Sequence, residues 1–416
     1  MSTPPVLTPA DAAALLPAGG RAYVGGCTAE PRALYRVVRS NPDLWQDVVL
    51  TGSFIPGVND ADLSALGRGT TVETIFSTPG LQHPVGRVAF LPLHYSTFYH
   101  RLSRPGFIDV VYVTTPLPRA DGTVGLGLAA DFALAPISAG AILVALLNPG
   151  MPDVANGPRF PLARCAALVA VDEPLPVYDA GPVDPATAAI ARIIVSLLRP
   201  GDRLQLGLGK VQAAVLEALP GSGLRGLGFH GGMVSTPMLG ALAAGVFSAG
   251  VTTGVALGSA GFYDSIARHP DLRFAPVGET HSHAVLASLD AFVSVNSVIE
   301  IDLDGQANAE AIAGVQVSGH GGLVDFLRGA RAAPNGRGIL ALASTARGGS
   351  VSRIVHRLAE GTPVSVARSD ADIVVTEHGV AHLGGLSLAR RAEILTSIAD
   401  PTHREGLRRA VAAGGA

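Results

Sequence analysis

The sequence predicts an α/β fold in two tandem domains with mainly parallel sheets, and three observations carry that expectation. Short β-branched runs alternate with helix-length amphipathic segments along the whole chain, the pattern of parallel strands with helices on the faces of the sheet. A stretch rich in Pro, Asp and Gly, Asp172 to Pro185, reads as a linker and sets expected domains at about residues 1–180 and 186–416. Beyond it the pattern restarts: Gly201-Asp202-Arg203-Leu204-Gln205-Leu206-Gly207 echoes Gly19-Gly20-Arg21-Ala22-Tyr23-Val24-Gly25. Both stretches are a strand, a glycine corner and then a helix, as a duplicated domain requires.

The elements follow in order. Thr8 to Leu16 reads as a short helix, with Thr8 as cap and Pro9 at its first position. Arg21 to Val24 is a strand, Gly25-Gly26 a corner, and the next helix turns Leu34, Val37 and Val38 inward. Strands are predicted at Val48–Thr51, Val72–Phe76, Val88–Leu91, Val110–Thr114, Ile142–Leu146 and Ala167–Val171. Asp121-Gly122 is a turn that folds Val124–Leu128 back on the Val110 strand. After the linker, Ala189, Ile190, Ile193, Ile194 and Leu197 form a helical stripe. Further strands are expected at Thr252–Leu257, Ala291–Val298, Ile299–Leu303, Gly338–Ala343 and Asp372–Val375, with a hairpin turn at Asp304-Gly305 and a helix-like Val380–Leu383.

Composition bounds the function. A chain of 416 residues is long for one core, and 48% apolar against 15% charged residues indicates a compact protein with much buried sheet. Thirty basic residues against 33 acidic ones offer no nucleic-acid surface and no polybasic membrane patch. The 51 glycines and 30 prolines are separated by apolar runs, so they mark tight turns and not disorder. Cys27 and Cys165 are the only cysteines, too few for a disulfide framework. The N-terminus lacks a basic signal region, and runs such as AGAILVALL fall short of the ~20 residues a membrane helix needs. A soluble, cytoplasmic protein is expected.

Several strands end in polar or glycine-bearing corners: Gly258-Ser259, Ser344-Thr345 and Thr376-Glu377-His378-Gly379. Ligands of open parallel sheets sit beyond the carboxyl ends of the strands, so these corners mark a crevice. Ser318-Gly319-His320-Gly321-Gly322 runs into a helix-like LVDFLRGA. Such a corner either is a plain structural turn or presents amide N–H groups to an anion. Asn296 lies inside an apolar strand, where an amide must be paired or functional. Glu377 is a crevice carboxylate or a helix-start residue. His230, in Phe229-His230-Gly231-Gly232-Met233, is structural or a base. His281-Ser282-His283 has metal-like spacing without a third ligand and reads as an exposed loop. Gly221 to Gly226 has dinucleotide spacing but follows a helix, so it is no Rossmann fingerprint.

Taken together, VNSVIEIDLDGQANAE, GGLVDFLRGA and SRIVHRLAEGTPVSVARSDADIVVTEHGVAHLGGLSLARRAEIL resemble the C-terminal half of the acetyl-CoA hydrolase/transferase family, which includes 4-hydroxybutyrate CoA-transferases. The likeness extends through LGLGKVQAAVLEAL to LPLHYSTFYHRL and the Val110–Gly125 region. It implies two CoA-transferase-like (NagB/RpiA-type) domains with an acyl-CoA site in their cleft, a homo-oligomer such as a dimer, and no metal. CoA is then expected near Gly207, Gly209, Gly231, Gly232, Gly258, Gly319, Gly321 and Gly322.

The resemblance also casts Asn296 and the Gly321-Gly322 amides as binders of the thioester oxygen, and Glu377 as an active-site carboxylate. Family transferases carry CoA on a glutamate in a short His-small-Glu-Met motif. Here the motif reads His230-Gly231-Gly232-Met233, and Gly232 holds the glutamate position. Leu323 stands where relatives usually carry glutamine. A glycine forms no covalent intermediate. Direct attack on the thioester is therefore expected, with Glu377 or His230 as base and with room vacated at Gly231-Gly232 for water or a larger acceptor. The alternatives are CoA transfer with Glu300 or Glu377 as a relocated nucleophile, or a non-catalytic CoA-binding scaffold.

Overall fold

The computed structural model describes residues 3–414. Its first sheet has seven strands: β1 (Arg21–Val24), β2 (Val49–Gly52), β3 (Thr71–Thr74), β4 (Arg87–Phe90), β5 (Val110–Thr115), β6 (Ile142–Leu147) and β7 (Ala167–Ala170). Their order is β4-β3-β2-β1-β5-β6-β7, and every neighbouring pair is parallel. All six residues of β5 are buried, as a strand covered on both faces must be. Helices α1 (Pro9–Ala13) and α2 (Arg32–Ser40) join this core. Trp45, fully buried there, donates its indole N–H to the Ala13 carbonyl at 3.1 Å, and the Tyr112 hydroxyl donates to Ala12 O at 3.0 Å.

The second sheet comprises β8 (Arg203–Leu206), β9 (Gly228–Val234), β10 (Val251–Ala256), β11 (Leu272–Phe274), β12 (Phe292–Ser297), β13 (Arg337–Ala341), β14 (Ile373–Thr376) and β15 (Gly379–His382). Its order is β11-β10-β9-β8-β12-β13-β14-β15. Without β15, this is the order of the first sheet. The registers agree as well: Ala22 and Tyr23 face Val110 and Val111, while Leu204 and Gln205 face Val293 and Ser294. The short echo in the sequence thus marks the central strand of each sheet.

The chain divides into two compact units. One holds the chain up to Asp179 with Gly232–Thr236 and Thr252–His281; the other holds Ala180–Gly231, Pro237–Val251 and the chain from Ser282. The expected division into residues 1–180 and 186–416 needs correction for the two inserted segments. Backbone hydrogen bonds explain it: Ala130 N–H donates to Gly254 O (2.9 Å), Ala256 N–H to Leu128 O (2.9 Å) and Val277 N–H to Asp131 O (2.8 Å). These bonds tie Thr252–His281 to residues 128–131.

Two local expectations also change. Val380–Leu383 is not helical: Gly379 to His382 pairs antiparallel with β14, with Thr376 opposite Gly379 and Ile373 opposite His382. Gly379 has φ +143°, which side-chain-bearing residues rarely adopt, so the chain reverses there and leaves Glu377 and His378 at the hairpin tip. The strand after Asp121-Gly122, Thr123–Gly125, pairs with Arg159–Pro161 and not with β5.

Each sheet is covered beside its seventh strand. Leu7 N–H donates to Leu168 O (2.8 Å) and Leu168 N–H to Pro5 O (2.9 Å) outside β7. In the second sheet β15 occupies that place beside β14.

Candidate active site

The parallel strands of the second unit bring several sequence candidates to their carboxyl ends. Gln205 on β8 and Ser294 on β12 are register partners. Asn296 lies two residues beyond Ser294, on the same face of its strand. The Asn296 amide donates to Gln205 Oε1 (3.0 Å) and to Ser294 Oγ (2.8 Å), and the Ser294 hydroxyl donates to Gln205 Oε1 (2.9 Å). All three are buried, Asn296 at 7% exposure. Leaving such an amide unpaired would cost about 1–3 kcal/mol. The network meets that demand and holds the Asn296 side chain in one plane. Gln205 is a residue the sequence reading missed, although a glutamine between Leu204 and Leu206 is the signal that finds it.

Glycines close in on this network. A Cβ at Gly207 would stand 3.7 Å from Asn296 Oδ1, and one at Gly231 would stand 3.4 Å from Gln205 Cγ. Gly209, with φ +126°, precedes helix α4 (Lys210–Ala218), the helix after α3 (Pro185–Leu197). Gly322 caps helix α6 (Leu323–Ala332), which follows the short helix α5 (Val277–Thr280) in the chain, and Gly321 has φ +54°. Leu323 packs in one apolar cluster with Val298 and Leu342. The helix start therefore lies by residues that directly follow β12 and β13.

The two remaining candidates of this unit are held elsewhere. Glu377 accepts the Ser344 N–H on one carboxylate oxygen (2.8 Å) and the Ser344 hydroxyl on the other (2.7 Å). This pair fastens the hairpin tip to the segment after β13. His230, 4% exposed on β9, sets its ring at 85° to that of Phe292 with centroids 6.4 Å apart.

In the first unit, Gly258 is a close-packing position. A Cβ there would collide with the Thr236 hydroxyl and come within 2.7 Å of the Phe262 ring, and its N–H donates to the Tyr263 hydroxyl at 3.3 Å. Gly232 is more informative. A Cβ there would lie 3.1 Å from Cε1 and 3.4 Å from Nε2 of His281. At Gly231 the Phe229 ring stands 3.1 Å from the corresponding point. The room expected at Gly231-Gly232 is therefore filled by two rings, because close packing leaves few voids beside a missing side chain.

His281 itself corrects the expectation of an exposed loop. It is 2% exposed at the end of α5, with its ring 4.9 Å from that of Tyr95 and Nδ1 2.9 Å from Thr280 Oγ1. The bond from Val277 N–H to Asp131 O draws α5 into the core.

Asp131 is buried, and burial pushes its carboxyl from the ordinary 3.8 up to about 6. Burial likewise raises the Cys27 thiol well above its usual value, with Asp131 and Glu30 adding to the effect, so the thiol is protonated and unreactive. The Asp131 shift sets a pH dependence. Between pH 3.8 and about 6 the folded chain binds the proton that the unfolded chain has lost. Stability from this group is thus complete at low pH and is lost as pH rises through that window. Asp131→Asn should flatten this limb and raise the unfolding free energy at pH 7 by up to about 3 kcal/mol, as checked by denaturant unfolding across pH 4–8.

Among the described residues no group of three or more His, Cys, Asp or Glu is placed to hold a metal ion, and no helix is long and apolar enough to cross a membrane.

Solved structures match this architecture over nearly its full length. RipA from Yersinia pestis is similar with a TM-score of 0.91 and 26% identity, covering 99% of this chain and 97% of that one. The 4-hydroxybutyrate CoA-transferase of Porphyromonas gingivalis is similar with a TM-score of 0.80 and 28% identity over 99% and 98%. The fold is that of the CoA transferases. Residues 258–411 match the acetyl-CoA hydrolase/transferase C-terminal domain. The 4-hydroxybutyrate coenzyme A transferase of Clostridium kluyveri is 32% identical over 308 residues, 72% of this chain and 71% of that protein. The chain belongs to the acetyl-CoA hydrolase/transferase family.

Proposed function

We propose that this protein is an acyl-CoA transferase or hydrolase that opens a bound thioester by direct attack of its acceptor on the acyl carbon. Membership of the family supports the CoA thioester as substrate. The observation that carries the mechanism is Gly232: the position the family motif gives to the CoA-carrying glutamate has no side chain. With no carboxylate there, no glutamyl thioester forms at this residue.

Asn296 and the Gly321-Gly322 amides hold the carbonyl oxygen in this reading. A thioester oxygen at Asn296 replaces its bond to Ser294, while Gln205 keeps the amide oriented and retains the Ser294 hydroxyl as a donor. A donor already oriented costs nothing to reorganise as charge develops on the oxygen. Gly207, Gly209, Gly231, Gly258 and Gly319 are the further positions proposed near CoA, and Glu377 or His230 is the proposed base. CoA transfer through Glu300 or Glu377 is less favoured, because Glu300 accepts from Asn308 (2.9 Å) and both Glu377 oxygens are taken by Ser344.

Calorimetric titration with acetyl-CoA and longer acyl-CoAs should give saturable heat, and CoA thiol should be released on turnover. A chain that gives no heat and no thermal shift with any CoA thioester is a scaffold, and the reading is then wrong.

A further inference from the structure

The first unit holds a cavity that the thioester reading does not use, and from it we infer a binding site for a short-chain monocarboxylate. The cavity, about 310 Å³ in volume, lies between α2 and the segment that follows β2. That is room for a small organic molecule. Helix geometry builds one of its walls. Arg32, Arg36 and Arg39 stand four and three residues apart on α2 and so share a face of the helix, with Tyr35 beside them.

Two groups on this wall lack partners. Tyr35 is 5% exposed, and its hydroxyl has no hydrogen-bond partner among the described residues. A buried hydroxyl left unpaired is costly, so it marks the place of a missing acceptor. Arg39 is the second. Arg32 is paired with the buried Glu30 (2.8 Å) and Arg36 with Glu173, whereas Arg39 makes no ion pair among the described residues. Like charges one turn apart on a helix repel, and here one of them has no counter-charge from its own chain.

The lining narrows the ligand. A guanidinium fork binds a carboxylate through two parallel N–H bonds, and a phenol O–H donates to the same kind of oxygen. One unpaired cation calls for one negative charge. Asp60, also on the lining, turns away a dianion such as phosphate; its Oδ1 accepts the Gly57 N–H at 2.9 Å, and it forms no ion pair with Arg39. The buried Val58 and Ala61 complete the wall with apolar surface, which suits a short hydrocarbon tail. The site thus takes a carboxylate head on Arg39 and Tyr35 and a tail against Val58 and Ala61. Thioester hydrolysis releases an acid of this class, but binding here needs neither CoA nor turnover.

The test uses the full chain without CoA and sodium butyrate as the probe. Sodium chloride at equal ionic strength and butyramide, which has no charge, are the controls. Butyrate should raise the melting temperature saturably, and neither control should. Arg39→Gln and Tyr35→Phe should each weaken butyrate binding by about tenfold or more. Arg39 is exposed, and Tyr35→Phe removes only the unpaired oxygen, so both variants should fold. Without butyrate, Tyr35→Phe should be at least as stable as the unchanged chain. Turnover of acyl-CoA with no butyrate added should be the same in both variants as in the unchanged chain.

No saturable shift with butyrate, a shift that either control matches, or a shift that either variant keeps overturns the proposal. A loss of stability in unliganded Tyr35→Phe also overturns it, since the hydroxyl is then already paired. So does a fall in basal turnover alongside the lost binding, because the cavity then belongs to the thioester site. A chain that turns over no acyl-CoA overturns the functional reading alone, and the butyrate titration still decides this one.

Discussion

Asn296→Ala should lower turnover of the true acyl-CoA by about 10²–10³-fold, the effect of removing one oxyanion donor. The loss should fall on kcat and on kcat/KM alike, because the interaction strengthens only as charge develops on the oxygen. Stability is a separate readout. Removing the amide leaves Gln205 Oε1 with the Ser294 hydroxyl still donating to it, so unfolding should cost no more than about 1–3 kcal/mol less. Ser294→Ala provides the control, since it takes away a partner of Asn296 without taking away the donor. If both variants lose the same stability and neither loses turnover, the network is structural and the oxyanion assignment fails.

Sodium borohydride should leave the protein active even with acyl-CoA present. Borohydride reduces a glutamyl-CoA thioester to an alcohol, so a transferase that forms one is inactivated only when acyl-CoA has loaded it. Gly232 has nothing to load. Acyl-CoA-dependent inactivation, with the modified residue mapped to Glu300 or Glu377, would sink direct attack. Gly232→Glu supplies the positive arm: it should confer CoA transfer to a carboxylate together with borohydride sensitivity. Its Cβ meets His281 at 3.1 Å, so the ring has to move by a few tenths of an ångström first. Mass spectrometry of the borohydride-treated variant should place the reduced carboxyl at position 232.

The fold was legible wherever one short pattern decides it. Arg21–Val24 and Arg203–Leu206 were found by their flanking glycines, and they are the central strands of the two sheets. The Asp304-Gly305 turn holds, with Gly305 at φ +95° and Glu300 opposite Asn308. What failed depends on partners outside the segment being read. Val380–Leu383 is an apolar run of a length that suits either a helix or a strand, and only its pairing with β14 makes it a strand. That Thr252–His281 groups with the first unit rests on bonds to residues 128–131, more than a hundred positions earlier.

The site divides in the same way. Asn296 and Gly232 stand out as a polar residue in an apolar strand and a glycine in a motif that wants glutamate. Gln205 carries the same kind of signal, a polar residue between Leu204 and Leu206, whereas His281 is placed by neighbours that no local spacing reveals.

The covered flanks of the two sheets have a consequence for self-association. A bare outer strand is a rail of unpaired N–H and C=O groups on which another chain can crystallise as an added strand. At β7 that rail is taken by Pro5–Leu7, and at β14 by β15. Strand addition directly on β7 or on β14 would first have to peel away a segment already hydrogen-bonded in place. A truncation that removed Pro5–Leu7 would bare the outer edge of β7.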